Sequence, residues 1–517
     1  MRVEVPAIES SPRIGVWIFL RGLALVHFCA FASLLPQIAG LIGPGGILPA
    51  GEYLSLLARS LGAEAFFAAP SLFWLGAGKG ALLTVTWLGL GVSLLLFCDV
   101  APALCLGLLW GLYLSVVSVG QDFFSFQWDA FLLEATLLAL LAAPWRLAPR
   151  FFSLPEIPSR FPLLLLRWLL FRFLLLNGLV KFAGPDPSWH GPAFDALRWH
   201  WFTQPLPSPL AWHLFQAPMW VDYLGIAFVF VVEIVLPCFI FGAKKLRRIA
   251  FFGIALLQLL LILTGNFAFL NFLTLALAFI LLDDRCFVPF SGLFPGLREG
   301  NLLRPVRHIP TSEGRRLLTY GLGGALFLWS LVLSLGQVAD VEALPGPLGW
   351  IDTWTAPWHS VNGYHLFPVM TKSRGEIEIE GSLDGVRWKP YRFRYKPGWP
   401  GGGPGSRPAW IAPFQPRLDW QMWFAALSTG DKTPWFSNLL ARLLQGSSDV
   451  TGLFASAPFG PTPPRYIRAL LYDYRFTTPQ ERTASPGHAE VWKRTPVGWY
   501  SPPTTLNAPN TPGSSNP

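Results

Sequence analysis

Five ionisable residues, Asp129, Glu134, Arg172, Lys181 and Glu233, stand inside strongly apolar stretches of this sequence, where a charge is costly and calls for a partner. Carboxylates and cations at such positions can form ion pairs that fix the register of packed helices. Alternatively, they can line a polar cavity that binds a substrate or a lipid headgroup. Asp129 and Lys181 each fall about two residues inside the same end of adjacent apolar stretches. Glu134 and Arg172 lie deeper, about four residues apart in level, or roughly 6 Å along a helix axis, which long side chains can bridge. The expected pairs are therefore Asp129 with Lys181 and Glu134 with Arg172, with Glu233 as a further partner and Arg167 toward the opposite end.

Other constellations are weaker. His190, His200 and His213, with Asp186 and Asp195, could gather a metal ion. Their spacing fits no compact ligand pattern, and the adjacent Trp189, Trp199, Trp201 and Trp212 mark an interfacial segment. No metal or other cofactor is expected. Gly43-Pro44-Gly45-Gly46 lacks the Gly-Lys-Ser/Thr ending of a phosphate loop and reads as a turn. Toward the C-terminus, Arg417, Asp419, Trp420 and Trp423 could bind a client protein. On another reading, Arg417 and Asp419 form a buried pair that pins the two tryptophans against a sheet.

The elements that must position these residues follow from composition. Of 517 residues, 52% are hydrophobic and 13% charged, about half the charge of a soluble domain, and the mean hydropathy is +0.43. Lipid must cover much of the chain. Nine apolar stretches, near 14–38, 80–98, 101–120, 127–145, 161–183, 219–242, 246–264, 268–283 and 317–339, read as spanning helices. The eighth is short, and a re-entrant hairpin with 246–264 is its rival reading. The first is too long for a signal peptide's apolar core and lacks a following cleavage site, so it reads as a retained anchor. With the N-terminus in the cytoplasm, the cytoplasmic loops hold fifteen Lys and Arg and the opposite loops three. The net charge of +9 falls in short clusters rather than an aromatic-studded stripe, which argues against a nucleic-acid partner.

This reading divides the chain into a bundle over 1–340 with exterior loops 39–79 and 184–218, a β-rich exterior domain over 341–500 and a disordered tail over 501–517. Glu376 to Glu380 alternates as a half-buried strand, with a return arm from Val386 to Tyr395 bulged at Pro390, and its Arg392, Arg394 and Lys396 face the glutamates. Another strand is expected over Tyr466 to Phe476, and helices over Leu418 to Leu427 and 434–445. Five cysteines, none after Cys286, exclude a disulfide-stapled exterior domain.

Several runs are specific enough to carry a resemblance. They are Phe126-Gln127-Trp128-Asp129 with Leu132-Leu133-Glu134, Thr203-Gln204-Pro205-Leu206-Pro207 with Pro209 and Trp212, and Gly265-Asn266 with Asn271. In the C-terminal part they are Glu380-Gly381-Ser382 with Asp384-Gly385, Phe393 to Gly398, the long Pro416 to Leu427 run, and Pro463-Pro464-Arg465-Tyr466. Together they resemble the lipase maturation factor family over about residues 14–500. Phe414 departs from it, standing where many relatives are expected to carry His, so no ligating or protonating role is carried to that position. The resemblance implies a multi-pass membrane protein that assists folding or assembly of secreted proteins, in eukaryotes dimeric lipases maturing in the endoplasmic reticulum. It carries no catalytic residue. Partners implied are a secreted client, such as a lipase, and membrane lipids. No Asn-X-Ser/Thr sequon is present, which points to a bacterial-type member in a cell inner membrane over one in the endoplasmic reticulum. The rivals are an integral-membrane enzyme acting on a lipid or membrane-associated substrate through the intramembrane cluster, and a transporter, for which internal repeats are wanting.

Overall fold

The computed structural model describes residues 12–147, 160–290, 312–341, 343–398, 405, 407–428, 433–460, 462–485 and 490–506. Helices follow all nine apolar stretches: α1 (Arg13–Leu34), α2 (Lys79–Phe97), α3 (Pro102–Val119), α4 (Gln127–Ala142), α5 (Arg160–Phe182), α6 (Met219–Phe239), α7 (Lys244–Thr264), α8 (Leu270–Ala278) and α9 (Glu313–Val338). Seven of them, all but α4 and α8, are long and apolar enough among the described residues to cross a membrane. The expectation of about nine spans is thereby reduced to seven membrane-length helices.

The two short helices have one physical cause. α4 has 16 residues, and α8 has 9 before a 3₁₀ turn that ends at Leu281. At 1.5 Å per residue even α4 reaches about 24 Å, less than the roughly 30 Å of bilayer hydrocarbon. Nearly every residue of α4 from Trp128 to Ala142 is buried among the other helices. A helix apolar on all sides can be surrounded by protein as well as by lipid, and hydropathy does not separate the two.

The C-terminal part forms a small antiparallel sheet of β1 (Gly375–Ser382), β2 (Lys389–Pro390), β3 (Tyr466–Phe476) and β4 (Trp492–Thr504) in the order β2-β1-β3-β4. Helices α10 (Arg417–Ala426) and α11 (Pro434–Leu444) pack on β1 and β3. The expected return arm pairs through Lys389 and Pro390, opposite Gly381 and Glu380, and through the Tyr391 N–H to the Ile379 carbonyl at 2.9 Å. β1 is not half-buried, because its glutamate face is covered by cations as its Ile377 and Ile379 face is covered by the core. Glu376 pairs with Arg374 and with Lys396, each at 2.8 Å, Glu378 with Arg494, and Glu380 with Arg468 at 2.7 Å. Of the expected facing trio, Lys396 meets a β1 glutamate. Arg394 donates to the Gly452 carbonyl at 3.1 Å, and Arg392 bridges to Ser456 through its backbone. Ser501 to Thr504, expected in a disordered tail, close β4, and 507–517 lie outside the described residues.

The two long loops of the bundle lie at the end that meets the sheet domain. The Gly43 to Gly46 turn receives hydrogen bonds from Ser447 Oγ at 2.7 Å and Arg442 Nε at 2.9 Å, and Lys79 pairs with Asp449 at 2.6 Å. Trp212 Nε1 donates to the Thr477 carbonyl at 2.8 Å. At Gly40, in the short helix Ile38–Ile42, a Cβ would stand 2.3 Å from the Asp449 carbonyl oxygen, so two backbones meet there with no room for a side chain. Gly40→Val is expected to lower the thermal midpoint of the solubilised protein. It should also open the 445–452 region to proteolysis before the helical bundle is cut.

Candidate functional site: buried charges between the bundle and the sheet domain

The first turn of α4 places Asp129 at the end of the bundle facing the sheet domain. The partner there is Arg417, not Lys181. Arg417 opens α10, and its guanidinium meets the Asp129 carboxylate with two N–H···O contacts, both 2.8 Å, across 288 residues of sequence. Tyr113 of α3 donates its hydroxyl to the same carboxylate and accepts from Arg417 at 3.2 Å. Arg417 also donates to the Phe123 carbonyl at 2.7 Å and stacks 3.7 Å above the Phe124 ring. Such a forked pair is among the stronger hydrogen-bonding arrangements, and full burial of both ions makes it obligatory. Gln37, just past α1, accepts from the Arg417 backbone N–H at 2.9 Å and donates to the Gln415 carbonyl at 2.9 Å. Arg417 and Asp419 therefore do not pair with each other. Asp419 accepts the backbone N–H groups of Tyr395 and Lys396, each at 2.9 Å. Its burial raises the carboxyl's pKa, against the lowering effect of those N–H groups.

One turn and more along α4, the expected Glu134–Arg172 pair is present. Its surroundings could not be foreseen. The second Glu134 oxygen accepts from the Asn362 backbone at 2.9 Å, the Asn362 amide at 3.1 Å and the Tyr364 hydroxyl at 2.7 Å, and Arg172 donates to the Asn362 carbonyl at 3.0 Å. Residues 361–370 thus run along the bundle as a strap. Asn177 accepts from the Leu366 N–H at 2.6 Å and Asp186 from the Met370 N–H at 2.6 Å, while Trp189 donates to the Phe367 carbonyl at 3.0 Å. Burial pushes the Asp186 carboxyl up, but the Met370 and Ser188 hydrogen bonds outweigh it and hold the group below its ordinary range.

Lys181, near the end of α5, pairs with Glu233 at 2.7 Å. Glu233 sits on a π turn, Val231–Val235, within α6, where α5 offers Gly178 and a Cβ would stand 2.8 Å from that of Glu233. The pair lines a cavity of about 70 Å³ between the helices. Arg167 directs a guanidinium nitrogen toward the Ile280 carbonyl at 3.4 Å. The three histidines have separate surroundings. His190 bonds the Gly184 carbonyl at 2.7 Å, His213 lies against Trp212, and Asp195 accepts from Trp199. No three metal-ligating side chains converge among the described residues.

Two further joints use motif residues. Arg374 donates to the carbonyls of Phe202, Gln204 and Pro205 at 2.9, 2.7 and 3.0 Å. Asn266 donates to Leu206 and Ala409 and accepts from Ile411 and Ala412. Tyr113, Gln37, Asn362, Tyr364 and Arg374 were not among the expected site residues. None stands in a local pattern that marks it, and each becomes visible only once distant segments meet. Trp420 is buried, Trp423 is half-buried and Phe424 is exposed.

If Asp129 and Arg417 hold the two parts together, Asp129→Leu or Arg417→Met alone should destabilise the protein by about 3–5 kcal/mol, because either leaves a buried charge unpaired. The double replacement should recover most of that loss. Thermal unfolding of the detergent-solubilised chain measures both. Single variants that melt with the parent, or a double variant as unstable as the sum, would contradict the pairing.

The geometry can be set beside known proteins. Residues 14–289 match the family model described as the lipase maturation factor transmembrane domain, and residues 360–502 match its C-terminal domain. The chain is 33% identical to lipase maturation factor 2 of Rattus norvegicus, over 97% of this chain and 84% of that protein. It is 34% identical to lipase maturation factor 2 of Gallus gallus, over 98% and 83%. With lipase maturation factor 1 of Mus musculus it shares 33% identity over 95% and 87%. These relatives are vertebrate and do not bear out a bacterial-type assignment. No solved structure matches the chain. With both family segments present and relatives about one-third identical over nearly the whole chain, the chain is an integral membrane protein that belongs to the lipase maturation factor family.

Proposed function

We propose that this chain is a membrane-embedded factor that assists the folding or assembly of secreted lipases, with the sheet domain meeting the client. The observation that carries this reading is the match over nearly the whole chain, through both the membrane and the C-terminal segments, to proteins named lipase maturation factors. The geometry adds two supports. Asp129 and Glu134 have their carboxylate oxygens engaged by Arg417, Tyr113, Arg172, Asn362 and Tyr364, which leaves neither free to act as an acid or base on a substrate. Arg417, Asp419 and Trp420 are buried, so in this reading they hold the α10 segment in place, while half-buried Trp423 and exposed Phe424 and Leu427 offer apolar area to an unfolded or partly assembled chain.

In the same reading the N-terminus is cytoplasmic and the sheet domain lies outside, in the lumen of the endoplasmic reticulum. The ion pairs Arg13–Asp284, Arg146–Asp99 and Arg248–Asp283 gather at the end of the bundle away from the sheet domain, as the excess of basic residues requires of a cytoplasmic face.

The experiment is to restore the protein to cells that lack it and follow a secreted lipase. The active fraction of the lipase should rise while its synthesis stays unchanged. Phe424→Ser with Trp423→Ala should lose most of that rise without removing the factor from the membrane or altering its protease resistance. A cytoplasm-only reporter fused after Leu506 should remain silent. An unaltered lipase in restored and deficient cells alike would refute the maturation reading, and a membrane lipid that disappears in the deficient cells would favour an intramembrane enzyme.

A further inference from the structure

Among the motif residues that carry the family resemblance, Asn271 takes no part in the joint with the sheet domain. It is 3% exposed on α8 and lines the cavity beside Lys181 and Glu233. Three other buried polar side chains line the same cavity: Asn177 of α5, whose amide is engaged by the Phe173 carbonyl and the Leu366 N–H, Gln258 of α7, 4% exposed, and His200 of the short helix Ala196–Thr203, 7% exposed. His200 Nε2 is buried without a hydrogen-bond partner. The side-chain amides of Gln258 and Asn271 enter no hydrogen bond among the described residues. A buried polar atom left unpaired, as His200 Nε2 is, destabilises the fold, and with the Gln258 and Asn271 amides facing the same space it forms an unfilled set of donors and acceptors.

The chemistry of the wall selects the ligand. Lys181 and Glu233 neutralise each other at 2.7 Å. Burial, reinforced by the nearby Lys181 charge, lowers the His200 pKa to about 4, so the imidazole is neutral at physiological pH. The wall therefore carries no net charge with which to hold a phosphate or carboxylate, and taking either ion out of water would go uncompensated. Two carboxamides and a neutral imidazole offer both donors and acceptors, which suits hydroxyl and ester oxygens. The remaining wall is apolar, with Phe173, Leu257, Phe267 and Leu270. At about 70 Å³ the space admits several polar atoms, since one water needs roughly 10–15 Å³ on the same measure. It lies between α5, α6 and α7, all of membrane length, and α7 turns Leu256, Leu259, Leu260 and Leu263 outward.

We propose that this cavity is a binding site for an uncharged lipid, whose hydroxyl or ester head bonds His200, Gln258 and Asn271 while its acyl chain leaves between the helices into the bilayer. The site is independent of the client-maturation reading.

The test uses the full chain in phosphatidylcholine nanodiscs with a mono-oleoylglycerol analogue carrying a diazirine near the glycerol. Irradiation should place adducts on the segments Leu257–Asn271 and Phe173–Lys181. Excess mono-oleoylglycerol should suppress them, and oleate and lysophosphatidylcholine should not. Asn271→Leu and Gln258→Leu should each weaken labelling about fivefold, the factor for one hydrogen bond of about 1 kcal/mol. Neither variant should lower the ligand-free thermal midpoint, because each removes an unpaired amide. A purely structural amide would show the reverse. Mono-oleoylglycerol should raise the midpoint of the parent and not of the variants. His200→Phe, which keeps the stack on Phe267, serves as a third variant should a leucine fail to fold. Adducts spread over the outward face of α7, equal competition by oleate or lysophosphatidylcholine, or variants that label as the parent does would each overturn the assignment.

Discussion

The structure depends on the pairing of Asp129 with Arg417, two fully buried charges contributed by segments 288 residues apart. Without the sheet domain, the bundle would present a carboxylate at its end with only Tyr113 to receive it. The sheet domain without the bundle would present a guanidinium with no anion. Removing either charge from water unpaired costs several kcal/mol, so each part is a poor structure without the other. Part of the joint repeats this division, although Gln37, Arg172, Trp189, Trp212 and Asn266 of the bundle donate to carbonyls of the C-terminal chain. The bundle supplies acceptors in Asp129, Glu134, Asp186 and the carbonyls of Phe202, Gln204 and Pro205, and the C-terminal chain supplies donors from Asn362, Tyr364, Met370, Arg374 and Arg417. Helices set in lipid cannot lean on water to satisfy such groups, which makes the matching of donors and acceptors across the joint a specification of where the second part docks.

How far this could be read from the sequence follows from the range of each interaction. The helical stretches were legible because apolar runs and helical rise are local properties, and β3 and the two helices of the sheet domain were legible for the same reason. Glu134 and Arg172 could be matched because α4 and α5 are consecutive and antiparallel, so their levels follow by counting residues. The same counting failed for Asp129 and Lys181, whose levels also agree. Level is necessary for a pair but says nothing about which neighbour is closer, and Asp129 took the forked guanidinium of α10 while Lys181 took Glu233 on the far side of α5. The shortness of α4 was hidden because a helix sheathed in protein and one sheathed in lipid have the same composition. β4 was hidden because its Pro496, Gly498, Pro502 and Pro503 look like loop residues, and its pairing with β3 carries the irregularities that such residues impose.

The motif residues that identify the family acquire a physical meaning from this arrangement. Asp129, Glu134, the Thr203 to Pro207 run, Asn266 and the start of the Pro416 to Leu427 run all lie in or around the joint. Such residues are buried in the contacts that join the two parts, so their replacement is expected to loosen the joint. Client recognition is then to be sought among side chains that the joint leaves free, in the exposed apolar residues of the sheet domain and its helices. Loss of activity in a motif variant carries little information about where a client binds.

Two buried polar regions in one bundle also behave differently under the same physics. At the joint, every carboxylate oxygen of Asp129 and Glu134 has a donor, so the desolvation of these two anions is offset within the chain, while Arg172 Nε, Arg417 Nε and the Gln415 amide stay buried without partners. Around the cavity between α5, α6 and α7, the Lys181–Glu233 pair is complete while His200 Nε2 is not satisfied. A fold that carries an unoffset cost there is less stable than it would be with apolar residues in the same places, and a molecule that supplied the missing partners would stabilise it by mass action in proportion to its concentration over its dissociation constant. The π turn that carries Glu233 adds to the same side of the ledger, since such turns interrupt regular helical hydrogen bonding and persist mostly where a site requires them. The joint explains how the two parts stay together, and the cavity is one place in the bundle, as Asp222 is another, where polar groups are retained that holding the parts together does not require.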